Sequence, residues 1–375
     1  MRWDPSFWQG RRVLVTGHTG FKGAWLAAWL DRLGAAVTGL ALPPSGEPAL
    51  FDALALGQRV GSVTGDVREA ALVTRVLRQE APEIVFHLAG QSIVLTGLED
   101  PLGTFETNVV GTVNLLQAVR ATPSVRAVVV VTSDKCYRQP HGACREGDAL
   151  GGEDPYSASK AAAELVVGAY RSCFLQAAQG RGLATARAGN VIGAGDFSAH
   201  RLVPDLVRAC MEGRPPILRQ PGAIRPWQHV LDALWGYLLL GEALHHAPVR
   251  FSTAWNFGPP PGSEWSVARL AAAFSRRLGA DAWRETGAAS PHEAACQRLT
   301  PERARRRLGW QTLLPLEEAA DWTVEGYRGL LEGQTAWLDA QIDRYVERAR
   351  GKTPVRRARA GSDSAEDRHA LARTG

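Results

Sequence analysis

Short apolar runs alternate with helical stretches along the first half of the chain. Residues 11–16 (RRVLVT) read as a buried strand, 24–33 as an apolar helix, 35–42 as a second strand, 59–65 as a third and 83–88 (EIVFHL) as a fourth. A helix is expected from Pro101 through Asn108, Gly111 and Leu116 to Arg120. Residues 125–132 are the next strand, a long helix runs from Pro155 to about Ala178, and 183–188 form one more strand. Strands apolar on both faces and separated by helices belong in a parallel sheet covered on both sides, so the fold expected is α/β, a Rossmann-like doubly wound sheet. Beyond residue 195 the rhythm changes: prolines and glycines become frequent, and Arg201, Arg219 and Arg225 stand in loops. Residues 196–227 and 259–346 are therefore expected to form a smaller substrate-binding domain, with helices at 303–308 and 317–331. The apolar stretch within 228–258 is expected to rejoin the first domain, residues 1–195.

The first strand runs directly into Gly17-His18-Thr19-Gly20-Phe21-Lys22-Gly23 and then a helix. That order gives a G-x-x-G-x-x-G spacing its meaning. Gly17 permits a tight turn, Gly20 lets the backbone approach a pyrophosphate, Gly23 lets helix and strand pack closely, and the helix N-terminus faces the phosphates. A dinucleotide site is expected. The second strand ends in Leu40-Ala41-Leu42-Pro43-Pro44, with neither an acid for a ribose 2′-hydroxyl nor an arginine for a 2′-phosphate. NAD is preferred over NADP. Asp66, followed by Val67, is placed to accept from an adenine amino group or to cap a helix, and Leu88-Ala89-Gly90-Gln91 to lie against the cofactor.

Only four of the 43 basic residues are lysine: Lys22, Lys135, Lys160 and Lys352. Arginine cannot be deprotonated, so lysines retained against such a bias are candidates for chemistry. Tyr156 and Lys160 share a helical face one turn apart, an arrangement in which an ammonium and a cationic nicotinamide can bring a phenol towards neutrality as a base. Ser133-Asp134-Lys135 follows a buried strand, where sites of parallel sheets lie.

Charge and cysteine usage narrow the classes. The tail from residue 351 carries six basic and three acidic residues, so it accounts for three of the five net positive charges. Residues 347–375 are expected to be a disordered basic tail, and a nearly neutral body gives no footprint for nucleic acid. Five cysteines without a C-x-x-C pair (Cys136, Cys144, Cys173, Cys210, Cys296) argue against a disulfide framework or a metal site. No stretch resembles a signal peptide or reaches membrane-span length, and a cytoplasmic protein is expected.

The motifs TGHTGFKG (16–23), SDK (133–135), YSASK (156–160) and GNVIG (189–193) occur in this order in the extended short-chain dehydrogenase/reductases, the NAD-dependent epimerase/dehydratase family. VTSDKCY, LGGEDPYSASK, ARAGNVIGAGD, RPWQHVL and WNFGP resemble its branch of 4,6-dehydratases that act on CDP-glucose. The resemblance implies a redox-neutral reaction giving a 4-keto-6-deoxy sugar. Tyr156 would take the O4 proton as NAD takes hydride from C4, with Lys160 on the nicotinamide ribose. Asp134 would protonate the departing C6 hydroxyl, Ser133 would hydrogen-bond O4, and Lys135 would be the C5 base or a fixed ammonium beside the enolate. Asn108 falls within the cofactor site. Asn190, Arg201, Arg219, Arg225 and His292 fall to the nucleotide sugar, and the helices from Pro101 and Pro155 to a homodimer interface.

Two segments depart from the branch. Residues 92–98 (SIVLTGL) replace a proline, an arginine and a tyrosine, and 138–144 (RQPHGAC) are short and lack tryptophan. Another sugar nucleotide or nucleoside stays open, as does an epimerase of the same family. A non-catalytic NAD-binding regulator would have lost Tyr156 or Lys160, and both are present.

Overall fold

The computed structural model describes residues 3–46, 48–138, 142–175, 177–279, 283–285 and 297–352. Its centre is a sheet of seven parallel strands: β1 (Arg12–Thr16), β2 (Ala36–Ala41), β3 (Gly61–Thr64), β4 (Ile84–His87), β5 (Ala127–Val131), β6 (Gly182–Ala188) and β7 (Ala254–Phe257). They lie in the order β7-β6-β5-β4-β1-β2-β3, so the direction of winding reverses between β1 and β4. Successive side chains serve opposite cores. Val13, Val15, Phe86 and Val129 enter one, and Leu14, Val85, Val128 and Val130 the other. This explains why the strands read as unbroken apolar runs.

The first core is covered by α1 (Phe21–Arg32), and the second by α2 (Ala70–Glu80), α3 and α4 (Pro155–Cys173). Helix α3 begins as Pro101–Phe105, widens into a π turn at Glu106–Val110 and continues as Gly111–Arg120. Helix α4 stops at Cys173, short of the expected Ala178, where Phe174 turns its N–H back to Tyr170 O. Further on come α5 (Leu202–Met211), α6 (Val230–His246), α7 (Val267–Leu278), α8 (Glu302–Leu308), α9 (Leu316–Leu331) and α10 (Ala336–Lys352). Helices α2, α5, α7 and α10 were not among the expected elements. In α5 the proline that suggested a loop, Pro204, sits in the first turn, where its missing N–H costs nothing.

Two boundaries differ from expectation. Helix α10 runs to Lys352, so residues 347–352 are helical rather than part of a tail; residues 353–375 lie outside the described ones. Residues 336–346, expected with the substrate-binding domain, pack on α1. Trp25 meets Trp337 and Trp29 meets Tyr345 edge-on at 5.5 and 5.4 Å, and Arg32 pairs with Asp343 at 2.6 Å. No helix among the described residues is long and apolar enough to cross a membrane.

The C-terminal segment is stapled to α6 by the fully buried Asp232. Its Oδ1 accepts from Leu313 N at 2.6 Å and from the Tyr345 hydroxyl at 2.7 Å, while its carbonyl accepts from Trp310 Nε1 at 2.9 Å. Burial pushes the carboxyl up to about 7. The folded state thus binds the proton more tightly than the unfolded chain. The resulting stabilisation is complete below the unfolded value of 3.8 and is lost as pH rises through about 7. Asp232→Asn keeps the accepting oxygen without the charge. Its Tm is expected to exceed that of the wild type by about 1–3 °C at pH 8, with the gap closing towards pH 5, measured by scanning calorimetry.

Candidate active site

A cavity of about 710 Å³ opens at the carboxyl ends of the strands and runs from the Gly17–Gly23 turn past Ser133 and Tyr156 to Arg219 and Arg225. It crosses the point where the sheet reverses, the place at which open α/β sheets bind ligands. The turn is built by close contact. Gly17 has φ +76°, and a Cβ on it would lie 2.7 Å from Ala89 N; one on Gly23 would lie 1.9 Å from Gly17 O. Gly20, at the N-cap of α1, carries no side-chain cap and lines the cavity, so the first N–H groups of the helix are left for an anion. A Cβ on Gly90 would come within 2.8 Å of Asn108 Oδ1 and 3.1 Å of Lys160 Nζ. These glycines form a cradle that a dinucleotide fits. Thr19, Phe21, Lys22, Asp66, Val67, Leu88, Ala89 and Gln91 line the same cavity. When bound, NAD supplies a hydride acceptor and a further positive charge.

Three cofactor assignments take a different form. His18 is fully buried away from the cavity, its ring against Gly39 and its Nε2 2.7 Å from Ser62 Oγ; burial pushes it down to about 4. The short space above a glycine in β2 draws the ring inwards, so its side chain is structural. Asn108 lies behind the cavity wall in the π turn and donates to Gln91 O at 2.9 Å and Ser159 Oγ at 2.8 Å. It braces the loop and helix that touch the cofactor space. Asp66 does not cap α2, whose N-cap is Glu69. Its carboxylate accepts from Arg68 N and Nε at 2.9 and 2.8 Å, and burial notwithstanding, Arg68 holds it below the usual range.

The end of β5 and the start of α4 bring the reactive groups together. Three of the chain's four lysines, Lys22, Lys135 and Lys160, line this cavity with Asp134 and Tyr156. Burial dominates the titration of Tyr156, Lys160, Lys22 and Asp134. It pushes Tyr156 up to about 12, opposed by hydrogen bonding with Ser133, and pushes Lys160 down to about 8. The protein alone therefore does not make Tyr156 a base. Lys22 falls to about 7 through burial and the neighbouring charges of Arg201 and Lys160. Asp134 is 3% exposed and its carboxyl is raised by burial. Its Oδ1 accepts from Ser133 Oγ at 3.0 Å, while Oδ2 is buried without a partner among the described residues. Gly189 keeps that side clear, since a Cβ there would stand 3.2 Å from Oδ2. Lys135 is half-buried on the same wall. Cys136 is buried and its thiol pushed well up, which leaves it inert.

The support beneath these groups was missed. Glu164, one turn after Lys160 on α4, is buried and accepts four hydrogen bonds. They come from Thr132 Oγ1 at 2.5 Å, Thr185 Oγ1 at 2.8 Å, and Arg187 Nε and Nη2 at 2.9 and 2.7 Å. Arg187 also donates to the Tyr137 hydroxyl at 2.8 Å, and Tyr137 in turn to Asn256 Oδ1 at 2.7 Å. The helix bearing Tyr156 and Lys160 is thereby tied to the strand that delivers Ser133. Its signal in the sequence was a carboxylate at i+4 from Lys160, on the same helix face.

Across the cavity, Val191–Ile192 pairs with Gln228–His229 and brings Asn190 and Arg225 to the wall. Arg201 reaches over the opening, pairing with Asp196 at 2.8 Å and donating to Ser92 Oγ at 2.6 Å. Arg219 lines the far end and donates to His200 O at 3.3 Å. His292 lies outside the described residues. Among the described residues no group of His, Cys, Asp or Glu is placed to hold a metal ion.

Residues 13–253 match the family described as the NAD dependent epimerase/dehydratase family. The chain belongs to that family. It is 42% identical over 338 residues to CDP-glucose 4,6-dehydratase of Salmonella typhimurium, covering 88% of this chain and 94% of that protein. It is 28% identical over 354 residues to dTDP-glucose 4,6-dehydratase of Xanthomonas campestris, covering 88% and 95%. Among solved structures, dTDP-glucose 4,6-dehydratase from Streptomyces venezuelae, with NAD bound, is 27% identical and has a TM-score of 0.73 over 87% of this chain and 99% of that one. UDP-glucose 4-epimerase from Thermotoga maritima, at 20% identity and a TM-score of 0.74 over 85% and 99%, shares the fold.

Glu164→Ala would leave the Arg187 guanidinium buried and unpaired and is expected to cost about 3–5 kcal/mol in urea unfolding. Glu164→Gln, which retains an acceptor, should cost less than half as much.

Proposed function

We propose that this NAD-dependent enzyme is a hydro-lyase that converts CDP-glucose to CDP-4-keto-6-deoxyglucose. The observation that carries this reading is Asp134, a buried carboxyl whose hold on its proton is strengthened by burial and whose second oxygen has no partner among the described residues, in the same cavity as Tyr156 and Lys160. An acid whose burial favours its protonated form is the donor a poor leaving group needs. An epimerase has no departing hydroxyl to protonate. Tyr156 takes the O4 proton, Lys160 steadies the phenolate, Ser133 holds O4, Asp134 protonates O6 as the C6–O6 bond breaks, and Lys135 serves C5. Asn190, Arg201, Arg219 and Arg225 meet the nucleotide diphosphate, for which three guanidiniums around one opening are suited.

The segment 92–98 is a wall of the sugar site. Ile93, Val94 and Leu95 line the cavity, and Gly97 in the short helix Val94–Glu99 packs against Tyr156, where a Cβ would stand 3.3 Å from Tyr156 Cβ. This face is apolar, which suits a sugar that loses its C6 hydroxyl.

The enzyme is proposed to be a cytoplasmic homodimer. Leu98, Leu102, Phe105, Val110 and Leu165 leave an exposed apolar face on the short helix, α3 and α4. Leu102→Glu with Leu165→Glu should convert a dimer to a monomer in sedimentation experiments.

Incubation with CDP-glucose in deuterated water should give a 4-keto-6-deoxy product carrying deuterium at C5. Failure to turn over any nucleotide hexose would contradict the reading.

A further inference from the structure

We propose that the Lys22 ammonium binds the pyrophosphate of the cofactor and takes up a proton as it does so. Of the three lysines that line the cavity, Lys22 is the one to which the dehydration chemistry gives no task. It is the second residue of α1, after Phe21, and Gly20 at the N-cap offers no side chain to the first N–H groups. A positive side chain in the first turn of a helix opposes the helix dipole unless an anion sits there too. Phe21 holds no anion: its ring turns to the 189–193 loop, where a Cβ on Gly193 would stand 3.1 Å from Phe21 Cζ. Lys22 can hold one. Its half-buried side chain lines the cavity and has neither a hydrogen bond nor an ion pair among the described residues.

The charges around this position explain why it is a lysine. Facing it are Lys160 from α4, Asp134 from the end of β5, and Asp196 and Arg201 from the segment that leads into α5. Lys135 lines the same cavity. The two carboxyl groups do little to offset the cations, because Asp196 is paired with Arg201 at 2.8 Å and burial favours the protonated form of Asp134. An arginine could not shed its charge among such neighbours. A lysine can, and burial with the charges of Arg201 and Lys160 pushes Lys22 down to about 7. A pyrophosphate brought to the end of α1 adds negative charge beside it, which favours the ammonium. Lys22 then gains one N–H bond from a buffer proton and donates to a phosphate oxygen, and nothing is oxidised or reduced. The protonated form binds more tightly by the same factor by which binding raises the pKa. Affinity is therefore greatest below about 7 and falls as pH rises above it.

Two diphosphates enter this cavity during catalysis, that of the cofactor and that of the sugar nucleotide. Lys22 belongs to the helix that follows the glycine cradle, the side that takes the first. Arg219 and Arg225, assigned to the second, stand at the other end of the cavity.

The test titrates the full chain, freed of nucleotide by dialysis, with ADP-ribose, adenosine and CDP in a calorimeter. Two buffers of different ionisation enthalpy count the protons taken up. Wild type should take up about half a proton per site with ADP-ribose at pH 8, and its Kd should rise roughly 10-fold or more from pH 6 to pH 9. Lys22→Arg should bind ADP-ribose within about 5-fold of wild type at pH 6 but without that uptake, because a guanidinium keeps its charge. Lys22→Met should weaken ADP-ribose roughly 10–100-fold at pH 6, the scale of one charged hydrogen bond, and leave adenosine within about 2-fold. Equal proton uptake in wild type and Lys22→Arg would overturn the proposal, as would unchanged binding of ADP-ribose by Lys22→Met. So would a loss confined to CDP, which would put Lys22 on the substrate, or a loss of ADP-ribose and adenosine alike in both variants, which would make it structural. No arm requires turnover, so the outcome does not depend on which sugar nucleotide the enzyme takes.

Discussion

The site depends on a carboxylate that never meets the ligand. Glu164 takes four hydrogen bonds in the core, and these fix α4 against the ends of β5 and β6. A buried ion pair is seldom a net source of stability, because desolvation offsets its attraction. What it provides is position: the planar guanidinium of Arg187 and the two threonine hydroxyls accept only one placement of the carboxylate. Tyr156 sits two turns earlier on that helix and Ser133 one residue beyond Thr132, so the separation of the two reactive segments follows from this junction. The π turn in α3, which lets Asn108 reach both Gln91 O and Ser159 Oγ, fixes the same helix from its other side.

On that frame, burial sets the chemistry. Burial in the same cavity pushes an acid up and two lysines down: it favours the protonated form of Asp134 and brings Lys22 and Lys160 down to about 7 and about 8. Tyr156 moves the wrong way for a base, up to about 12. Oxidised NAD, when bound, would add a positive charge that favours the phenolate.

Much of this was legible in the chain. The apolar runs 11–16, 83–88, 125–132 and 183–188 marked the central strands, and Gly17, Gly90, Ser133 and Asn190 beyond them line the cavity. Retention of lysine in an arginine-rich chain marked three residues of one cavity. What was not legible depended on contacts between distant segments. His18 stands in the motif but turns inwards because Gly39, in the neighbouring strand, leaves a space for its ring. Residues 336–346 were expected with the substrate-binding domain, yet Trp337 and Tyr345 among them pack on Trp25 and Trp29 of α1. Arg187 is one arginine among many until folding places Glu164 beside it.

The site divides in two, with Tyr156 and Lys160 assisting the oxidation of C4 by NAD and Asp134 turning that oxidation into loss of the C6 hydroxyl. The most direct test is Asp134→Asn mixed with CDP-glucose, quenched and reduced with borodeuteride. The account predicts a hexose deuterated at C4 with its C6 hydroxyl intact, up to one per site, and little 6-deoxy sugar. A quenched sugar without label at C4, or undiminished formation of the 6-deoxy product, would contradict it.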